Sequence, residues 1–180
     1  AYIARARVSA SAFRSMPQPL TPGRVAELGN RMMGQSYGWG GLYGDRDCSS
    51  TLRDLFAPFG LWLPRNSAAQ AGSGQQIKLQ DLSPEKKERL ILDEGIPFLS
   101  LIQLPGHIGL YIGSYNGQAA FFHNLWGLRT APSPATGGWS GRHILGRAVV
   151  TSLRPGAALP DIDVNALLIH RMRVLALLGR

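Results

Sequence analysis

The stretch "YGWGGLYGDRDCSSTLRDLF" (residues 37–56) places a glycine-rich loop directly before the only cysteine of the chain. Four glycines precede Cys48 in this stretch, and glycine loses more conformational entropy on folding than any other residue, so such a loop needs a structural reason. From Cys48 onward, apolar residues recur at helical spacing as far as Phe59. The sequence therefore predicts a helix that begins at Cys48, with Asp47 or Asp45 as its N-cap.

The composition is that of a globular domain with a basic surface. The chain has 180 residues, of which 44% are hydrophobic and 17% charged, and this length supports one sizeable core. No apolar run approaches the ~20 residues that span a bilayer, so we predict no transmembrane segment. The net charge of +8 favours polyanions, anionic surfaces or substrates rich in carboxylates. A single cysteine leaves no internal disulfide framework and no cysteine-rich zinc site.

The first residues predict a piece of another domain. Residues 1–10 alternate apolar and polar side chains, which is typical of a strand, and the proline-rich segment 15–23 is typical of a linker. We therefore expect residues 1–15 to be the end of a preceding domain with its linker. Residues 16–180 are then the main domain.

The pattern along that domain predicts helices at both ends of an antiparallel sheet, an α+β fold. Thr21 and Ser83 are expected N-caps, each followed by proline at the first helical position. Residues 61–74 are predicted to be a loop or short turn, and a last helix is expected from about Asp163. Strand patterns separated by turn residues predict an antiparallel meander of four strands: 96–104, 107–113, 118–126 and 142–153.

Two strand histidines and the cysteine predict a site for nucleophilic chemistry. Alternation puts His107 on one face of its strand with small glycine neighbours, and puts isoleucine and leucine on the other face. An antiparallel hairpin then brings His123, on the next strand, beside His107. The chain order is that of nucleophile, base and orienting residue. At a helix N-terminus, unpaired amides favour the thiolate of Cys48 and offer hydrogen bonds to a developing oxyanion.

A structural interpretation of the same residue types stays open at this point. A lone cysteine on an apolar helical face is more often a small core residue, and a strand histidine is more often structural. Trp39 is the aromatic side chain that we expect to border a cleft. For Arg65 we weigh an ion pair with a substrate carboxylate against a structural role, typically a clamp on a backbone carbonyl, and we favour the structural role. His143 and His170 have no spacing relation to the thiol, so we expect them to make ordinary polar contacts.

Several motifs together resemble the NlpC family of bacterial cell-wall cysteine peptidases. The match extends from residue 21 to about residue 150, and it is specific because the motifs keep their order and spacing. They are Tyr37, "WGG" at 39–41, "DCSS" at 47–50, "LPRNSAAQ" at 63–70, "HIGLYIG" at 107–113 and "FFHNLWG" at 121–127. The chain departs from the family where Ser50 replaces a glycine, and where the interval from His107 to His123 is longer than usual.

The resemblance implies a papain-like α+β fold with a cysteine peptidase site. Cys48 would be the nucleophile, His107 the general base and acid, and His123 the residue that orients the imidazole. Family members hydrolyse amide bonds in peptidoglycan stem peptides, typically the γ-D-glutamyl to diamino-acid linkage. The implied activity is therefore that of a D,L-endopeptidase acting on the cell wall.

The resemblance also implies a substrate cleft and a cellular setting. Tyr37, Asp47 and Ser49 match family positions that line the cleft near the free amino end of the substrate. Relatives with similar motifs carry SH3-like barrels ahead of the peptidase, so residues 1–15 are expected to be the end of such a barrel with its linker. The expected setting is the bacterial cell envelope, in the periplasm or outside the cell, and the expected state is a monomer.

Other functions remain open from the sequence. A non-catalytic peptidoglycan-binding module on the same fold would have an unreactive thiol, whereas a peptidase needs a reactive one. Nucleic acid is not a predicted partner, because no basic run is interleaved with aromatic residues. A zinc hydrolase is the least favoured, because the chain has no H-E-x-x-H motif and only four scattered histidines. We therefore predict neither a metal nor a cofactor.

Overall fold

The computed structural model describes residues 3–179, which form helices packed on a six-stranded antiparallel sheet. The α-helices are α1 (Pro22–Met32), α2 (Cys48–Phe56), α3 (Ser67–Ala71), α4 (Pro84–Glu94) and α5 (Leu168–Arg171). The strands are β1 (Gln75–Lys78), β2 (Ser100–Leu104), β3 (His107–Tyr115), β4 (Gln118–Arg129), β5 (Arg142–Ser152) and β6 (Val174–Leu177). Short 3-10 segments are Ala10–Ala12, Trp39–Gly44, Ala57–Phe59, Pro134–Thr136 and Val164–Ala166. The expected α+β class is confirmed.

The predicted helix starts are confirmed by their capping hydrogen bonds. Thr21 Oγ1 accepts the Arg24 N–H at 3.4 Å at the start of α1. Ser83 Oγ accepts the Lys86 N–H at 3.3 Å at the start of α4. In both helices proline follows the cap, where its fixed φ suits the first turn and its missing N–H costs no hydrogen bond.

The sheet separates two apolar cores and places α2 over its centre. The strand order is β1-β6-β2-β3-β4-β5, and the neighbours β2 to β5 form the predicted antiparallel meander. On one face, Leu52 and Leu55 of α2 pack in a core with Ile108 of β3. On the other face, Ile91 of α4 packs in a core with Phe121 of β4. Because α2 contacts β3 and β4, its N-terminus is carried to the strands that hold the two histidines.

The predicted last helix is wrong over most of its length. The chain after Asp163 forms a 3-10 turn and the single helical turn α5, and Val174–Leu177 is then strand β6, inserted between β1 and β2. Leu175 packs in the core on the α4 face, whereas Ala176 packs in the core on the α2 face. A strand buried on both faces is a continuous apolar run, which periodicity cannot distinguish from a buried helix.

Three other segments also differ from expectation. The strand predicted over 96–104 begins only at Ser100, because Pro97 lacks a donor and Phe98 turns the chain with a φ of 64°. The predicted loop 61–74 contains α3, which Asn66 caps. The strand predicted for residues 1–10 is wrong over residues 3–9, which form no strand. Ala1 and Tyr2 lie outside the described residues.

Within residues 3–179, none of the helices combines the length and the hydropathy that a bilayer span requires.

Candidate active site

Cys48 is the first residue of α2, and the residue before it caps the helix. Asp47 Oδ1 accepts the Ser50 N–H at 2.9 Å, and Ser50 Oγ accepts the Asp47 N–H at 2.9 Å. These reciprocal bonds form a capping box, so the N-cap is Asp47 and not Asp45. Ser50 therefore helps to fix the start of the helix on which Cys48 lies.

The loop before Cys48 follows a backbone path that needs glycine. Gly40 and Gly41 have φ angles of 64° and 92°, in the left-handed region that side chains disfavour. A single bridge then pairs Tyr37 with Arg46. This bridge joins the two ends of the loop just before α2 begins. It also brings Tyr37 close enough to Cys48 for the two side chains to interact electrostatically.

Three aromatic rings form a wall at the start of this loop. The ring centroids of Tyr37 and Trp39 are 5.2 Å apart, and Trp126 of β4 lies 5.8 Å from each of them. Such edge and tilted contacts are the favourable geometries for aromatic rings. Trp39 is 59% exposed, so it presents an open apolar surface.

The hairpin of β3 and β4 brings the two predicted histidines together. His107 Nε2 lies 2.8 Å from His123 Nδ1, and both side chains are buried. His123 Nε2 lies 3.1 Å from Thr151 Oγ1 on the next strand, β5. The two imidazoles and the hydroxyl therefore form one continuous line of hydrogen bonds across three adjacent strands.

The thiol of Cys48 meets β3 at the residue that follows His107. The Ile108 amide interacts with the Cys48 thiol, while no hydrogen bond joins the thiol to the His107 imidazole within the described part of the chain. His107 uses Nε2 for its bond to His123, so Nδ1 is the ring nitrogen that remains for the thiol. Active-site hydrogen bonds of this kind are often long in the absence of substrate and shorten in the complex.

Burial keeps the Cys48 thiol and the imidazoles of His107 and His123 uncharged at neutral pH. Burial raises the pKa of the Cys48 thiol above its ordinary value, although the Ile108 and Ser49 amides oppose the effect. Burial, together with the charge of Arg171, lowers the pKa of His107 to about 4. Burial, together with the nearby His107, lowers the pKa of His123 well below its ordinary value. The expectation of a favoured thiolate is therefore wrong for the unliganded state, because desolvation outweighs the helix N-terminus.

Arg65 clamps the residue that caps α2. Its Nη2 lies 2.6 Å from Asp47 Oδ2 and its Nη1 lies 3.1 Å from Asp47 Oδ1, while Nη1 also donates to Ser49 Oγ at 2.9 Å. Burial by itself would raise the pKa of Asp47, but the hydrogen bonds from Arg65, Ser50 and Ser49 outweigh it and lower that pKa to about 2. The structural role expected of Arg65 is found, but its partner is a carboxylate in the site and not a backbone carbonyl.

Breaking this clamp should destabilise the domain at neutral pH. Arg65→Gln removes the bidentate ion pair and leaves the mostly buried carboxylate of Asp47 without its cation. Because the Arg65 side chain is 42% exposed, solvent screens the pair, and we expect the unfolding free energy to fall by about 1 kcal/mol. The loss should be present above the ordinary pKa of Asp47 and should fade as the pH falls towards about 2, where the native carboxyl also protonates. Urea unfolding at several pH values measures it. Arg31→Gln, which breaks an exposed pair with Glu27, is the matched control and should change stability little.

The buried imidazoles should also make stability depend on pH. The folded pKa of His107 is about 4, below its ordinary 6.5, so the unfolded chain binds a proton first as the pH falls. Stability from His107 is therefore complete above pH 6.5 and is lost as the pH falls to about 4, by about 3 kcal/mol at most. Urea unfolding of the wild type and of His107→Asn at pH 7 and pH 4.5 measures it. An equally steep fall in the variant would contradict this assignment.

Other candidate groups lie outside the site. His143 Nδ1 bonds Asp161 Oδ2 at 3.1 Å, which is the ordinary polar contact expected of that residue. At His170 the backbone carbonyl, and not the imidazole, accepts from Lys87 Nζ at 2.8 Å. Over residues 3–179, no group of three or more His, Cys, Asp or Glu side chains is placed to hold a metal ion. Thr151 was not singled out from the sequence, since only the pairing of β4 with β5 brings its hydroxyl to His123.

Comparison with curated proteins finds peptidases that are similar over part of their length. A γ-D-glutamyl-L-lysine dipeptidyl-peptidase of Bacillus subtilis (strain 168) is 29% identical over 90 residues, which are 49% of this chain and 28% of that protein. A probable endopeptidase of Mycobacterium bovis is 32% identical over 90 residues, which are 49% of this chain and 20% of that protein. The chain thus spans less than a third of the length of these relatives.

Comparison with solved structures shows the same fold. An NlpC/P60 endopeptidase from Photobacterium damselae subsp. piscicida aligns with a TM-score of 0.79 and 29% identity, over 91% of this chain and 40% of that chain. An NlpC/P60 family protein from Bacillus cereus ATCC 10987 aligns with a TM-score of 0.53 and 16% identity, over 89% of this chain and 41% of that one; this second likeness concerns the fold alone.

The family comparison covers the segment that carries the site. Residues 34–147, more than half of the chain, match the model of the NlpC/P60 family. That segment includes the glycine-rich loop, α2 and the hairpin with both histidines. The chain therefore belongs to the NlpC/P60 family, and its described residues adopt the papain-like α+β fold.

Proposed function

We propose that this domain is a cysteine peptidase that hydrolyses amide bonds in peptidoglycan stem peptides, with Cys48 as nucleophile. The observation that carries the proposal is the meeting of two elements at the start of β3. Cys48 lies on the first turn of α2, and its thiol interacts with the Ile108 amide of β3. The adjacent His107 is bonded through Nε2 to His123 at 2.8 Å, so its Nδ1 is left for the thiol.

The proposed reaction starts from the neutral thiol and the neutral imidazole. Nδ1 of His107 takes the thiol proton as the sulfur of Cys48 attacks the peptide carbonyl carbon, and the carbonyl oxygen becomes an oxyanion. First-turn amides of α2, including the N–H of Cys48, stabilise that charge. His107 then protonates the leaving amine as the C–N bond breaks. Water, deprotonated by His107, attacks the thioester and releases the carboxylic acid and the thiol.

The proposed substrate is the γ-D-glutamyl to diamino-acid linkage. The relative from Bacillus subtilis is named for a γ-D-glutamyl-L-lysine bond. Tyr37, Asp47 and Ser49 would line the cleft near the free amino end of the stem peptide, with Trp39 at its border. The net charge of +8 also suits a cell wall rich in carboxylates, and we place the domain in the bacterial cell envelope on these grounds.

A second candidate function is a non-catalytic module that binds stem peptides on the same fold. The observation that favours it is the resting thiol, whose pKa is raised by burial and which has no hydrogen bond to His107 within the described residues. A thiol in that state reacts slowly at neutral pH. Alkylation at a single neutral pH therefore cannot separate the two candidates, and turnover has to be measured.

The test is digestion of purified muropeptides, freed of their sugars so that each stem peptide begins with L-alanine, followed by liquid chromatography and mass spectrometry. The peptidase predicts release of the L-alanyl-D-glutamyl dipeptide and a remaining fragment that begins with the diamino acid. The products' masses identify the bond. Unchanged masses, together with retention of muropeptides on the immobilised domain, would instead establish the binding module.

A further inference from the structure

Thr151 closes the line of hydrogen bonds behind the two imidazoles. It lies on β5, where its backbone pairs with Phe121, while Val149 pairs with His123. Thr151 is thus the diagonal neighbour of His123 on the same face of the sheet, within reach of its side chain. The distance from Thr151 Oγ1 to His123 Nε2 is 3.1 Å.

The direction of each hydrogen bond in this line follows from what each atom can donate. Thr151 Oγ1 lies 2.7 Å from the Ser152 carbonyl oxygen, and a carbonyl only accepts, so the single hydroxyl hydrogen is used there. The lone pair of Oγ1 must then accept a proton from His123 Nε2. A neutral imidazole carries one N–H, so His123 Nδ1 is an acceptor.

The direction of the hydrogen bond between His123 and His107 is fixed in the same way. Because His123 Nδ1 accepts, His107 Nε2 at 2.8 Å must be the donor. His107 Nδ1 is then unprotonated, and it is the nitrogen left for the Cys48 thiol. If His123 carried its proton on Nδ1, His107 would have to accept at Nε2 and would carry its proton on Nδ1. In that tautomer it could not take a proton from the thiol.

We propose that Thr151 is a positioning residue that sets the tautomers of His123 and His107, so that Nδ1 of His107 is unprotonated and ready to accept the thiol proton. The inference rests on the proposed function, since it names what prepares the base for that reaction. Burial of both imidazoles supports it, because neutral rings are the ones whose tautomers matter. Thr151 touches neither the substrate nor the reacting atoms and acts through His123.

The direct readout is the protonation of the ring nitrogens, measured by nitrogen-15 NMR of the full chain. In the wild type, both histidines should carry the proton on Nε2. Thr151→Val keeps the branched shape that suits a strand but removes the hydroxyl, so we expect a mixture in which the Nδ1–H forms of both rings are populated. Thr151→Ser should restore the wild-type pattern. Val150→Thr, which adds a hydroxyl at the neighbouring exposed position, is the matched control and should leave the pattern unchanged.

The kinetic readout is muropeptide hydrolysis by the same variants. Thr151→Val should lower kcat about 10-fold, as expected from one lost hydrogen bond, with little change in KM. Thr151→Ser should recover most of kcat. Thermal unfolding of each variant shows that the fold is kept.

The two proposals fail in different ways. If Thr151→Val keeps the wild-type ring protonation, or changes it without lowering kcat, the inference about Thr151 is overturned while the peptidase stands. If Cys48→Ala hydrolyses as fast as the wild type, the proposed peptidase falls and the kinetic part of this inference falls with it. The NMR comparison then still decides whether Thr151 sets the tautomers.

Discussion

Cys48→Ala is expected to lower the rate of muropeptide hydrolysis by about 10⁴-fold or more, because in the proposed reaction the sulfur forms the covalent bond to the substrate, and no other thiol exists in the chain. Substrate binding should persist, since alanine leaves the cleft open. The rate of dipeptide release and the Kd for intact muropeptide are the two measurements. A loss in rate at unchanged Kd identifies a residue of the reaction and not of binding.

The fold should tolerate this replacement. Cys48 is small and 6% exposed, and the capping box that starts α2 uses Asp47 and Ser50, not the thiol. We therefore expect the unfolding free energy to change by about 1 kcal/mol or less. Undiminished dipeptide release by a folded Cys48→Ala variant would rule out the proposed mechanism.

His107→Asn is expected to lower kcat/KM by at least about 10³-fold, because the variant has no group at this position that takes the thiol proton or protonates the leaving amine. The pH profile should change as well. In the free wild type, activity should fall on the acid side as His107 protonates with its pKa of about 4, and this limb should be absent from the residual activity of the variant.

The control for His107 is a histidine on the edge strand β5 whose side chain is also hydrogen-bonded. His143 is bonded to Asp161 and has no part in the line from Thr151 to His107. His143→Asn should keep kcat/KM within about twofold of the wild type, as surface replacements usually do. A loss in His143→Asn as large as that in His107→Asn would show that histidine removal acts through stability and not through the reaction.

Local rules predicted the parts of the site that lie close together in sequence. The helix that begins at Cys48 follows from its apolar spacing and from Asp47 as a cap, and both were readable from residues 47–59. The contact between His107 and His123 follows from a hairpin, whose register is set by the turn and by alternation. Such predictions need only one element and its immediate neighbour.

What the sequence did not predict depends on elements brought together from far apart. β6 is buried on both faces, so its apolar residues carry no period that marks a strand. Arg65 reaches Asp47 only because the segment after α2 folds back over the start of that helix. The raised pKa of the Cys48 thiol reflects burial by the whole fold, whereas helix position alone indicates a lowered one.

The most direct test of the proposed mechanism is to label the nucleophile with an electrophile that has the shape of the substrate. L-Alanyl-γ-D-glutamyl chloromethyl ketone carries the reactive carbon next to the carbonyl of the proposed scissile bond, and the thiolate displaces chloride to form a stable thioether. The proposed mechanism predicts a single adduct on Cys48, located by peptide mapping and mass spectrometry. This adduct should form faster than the adduct with the same concentration of chloroacetone, and labelling should be much slower in His107→Asn. Cleavage of muropeptides that continues with no label on Cys48 would contradict it.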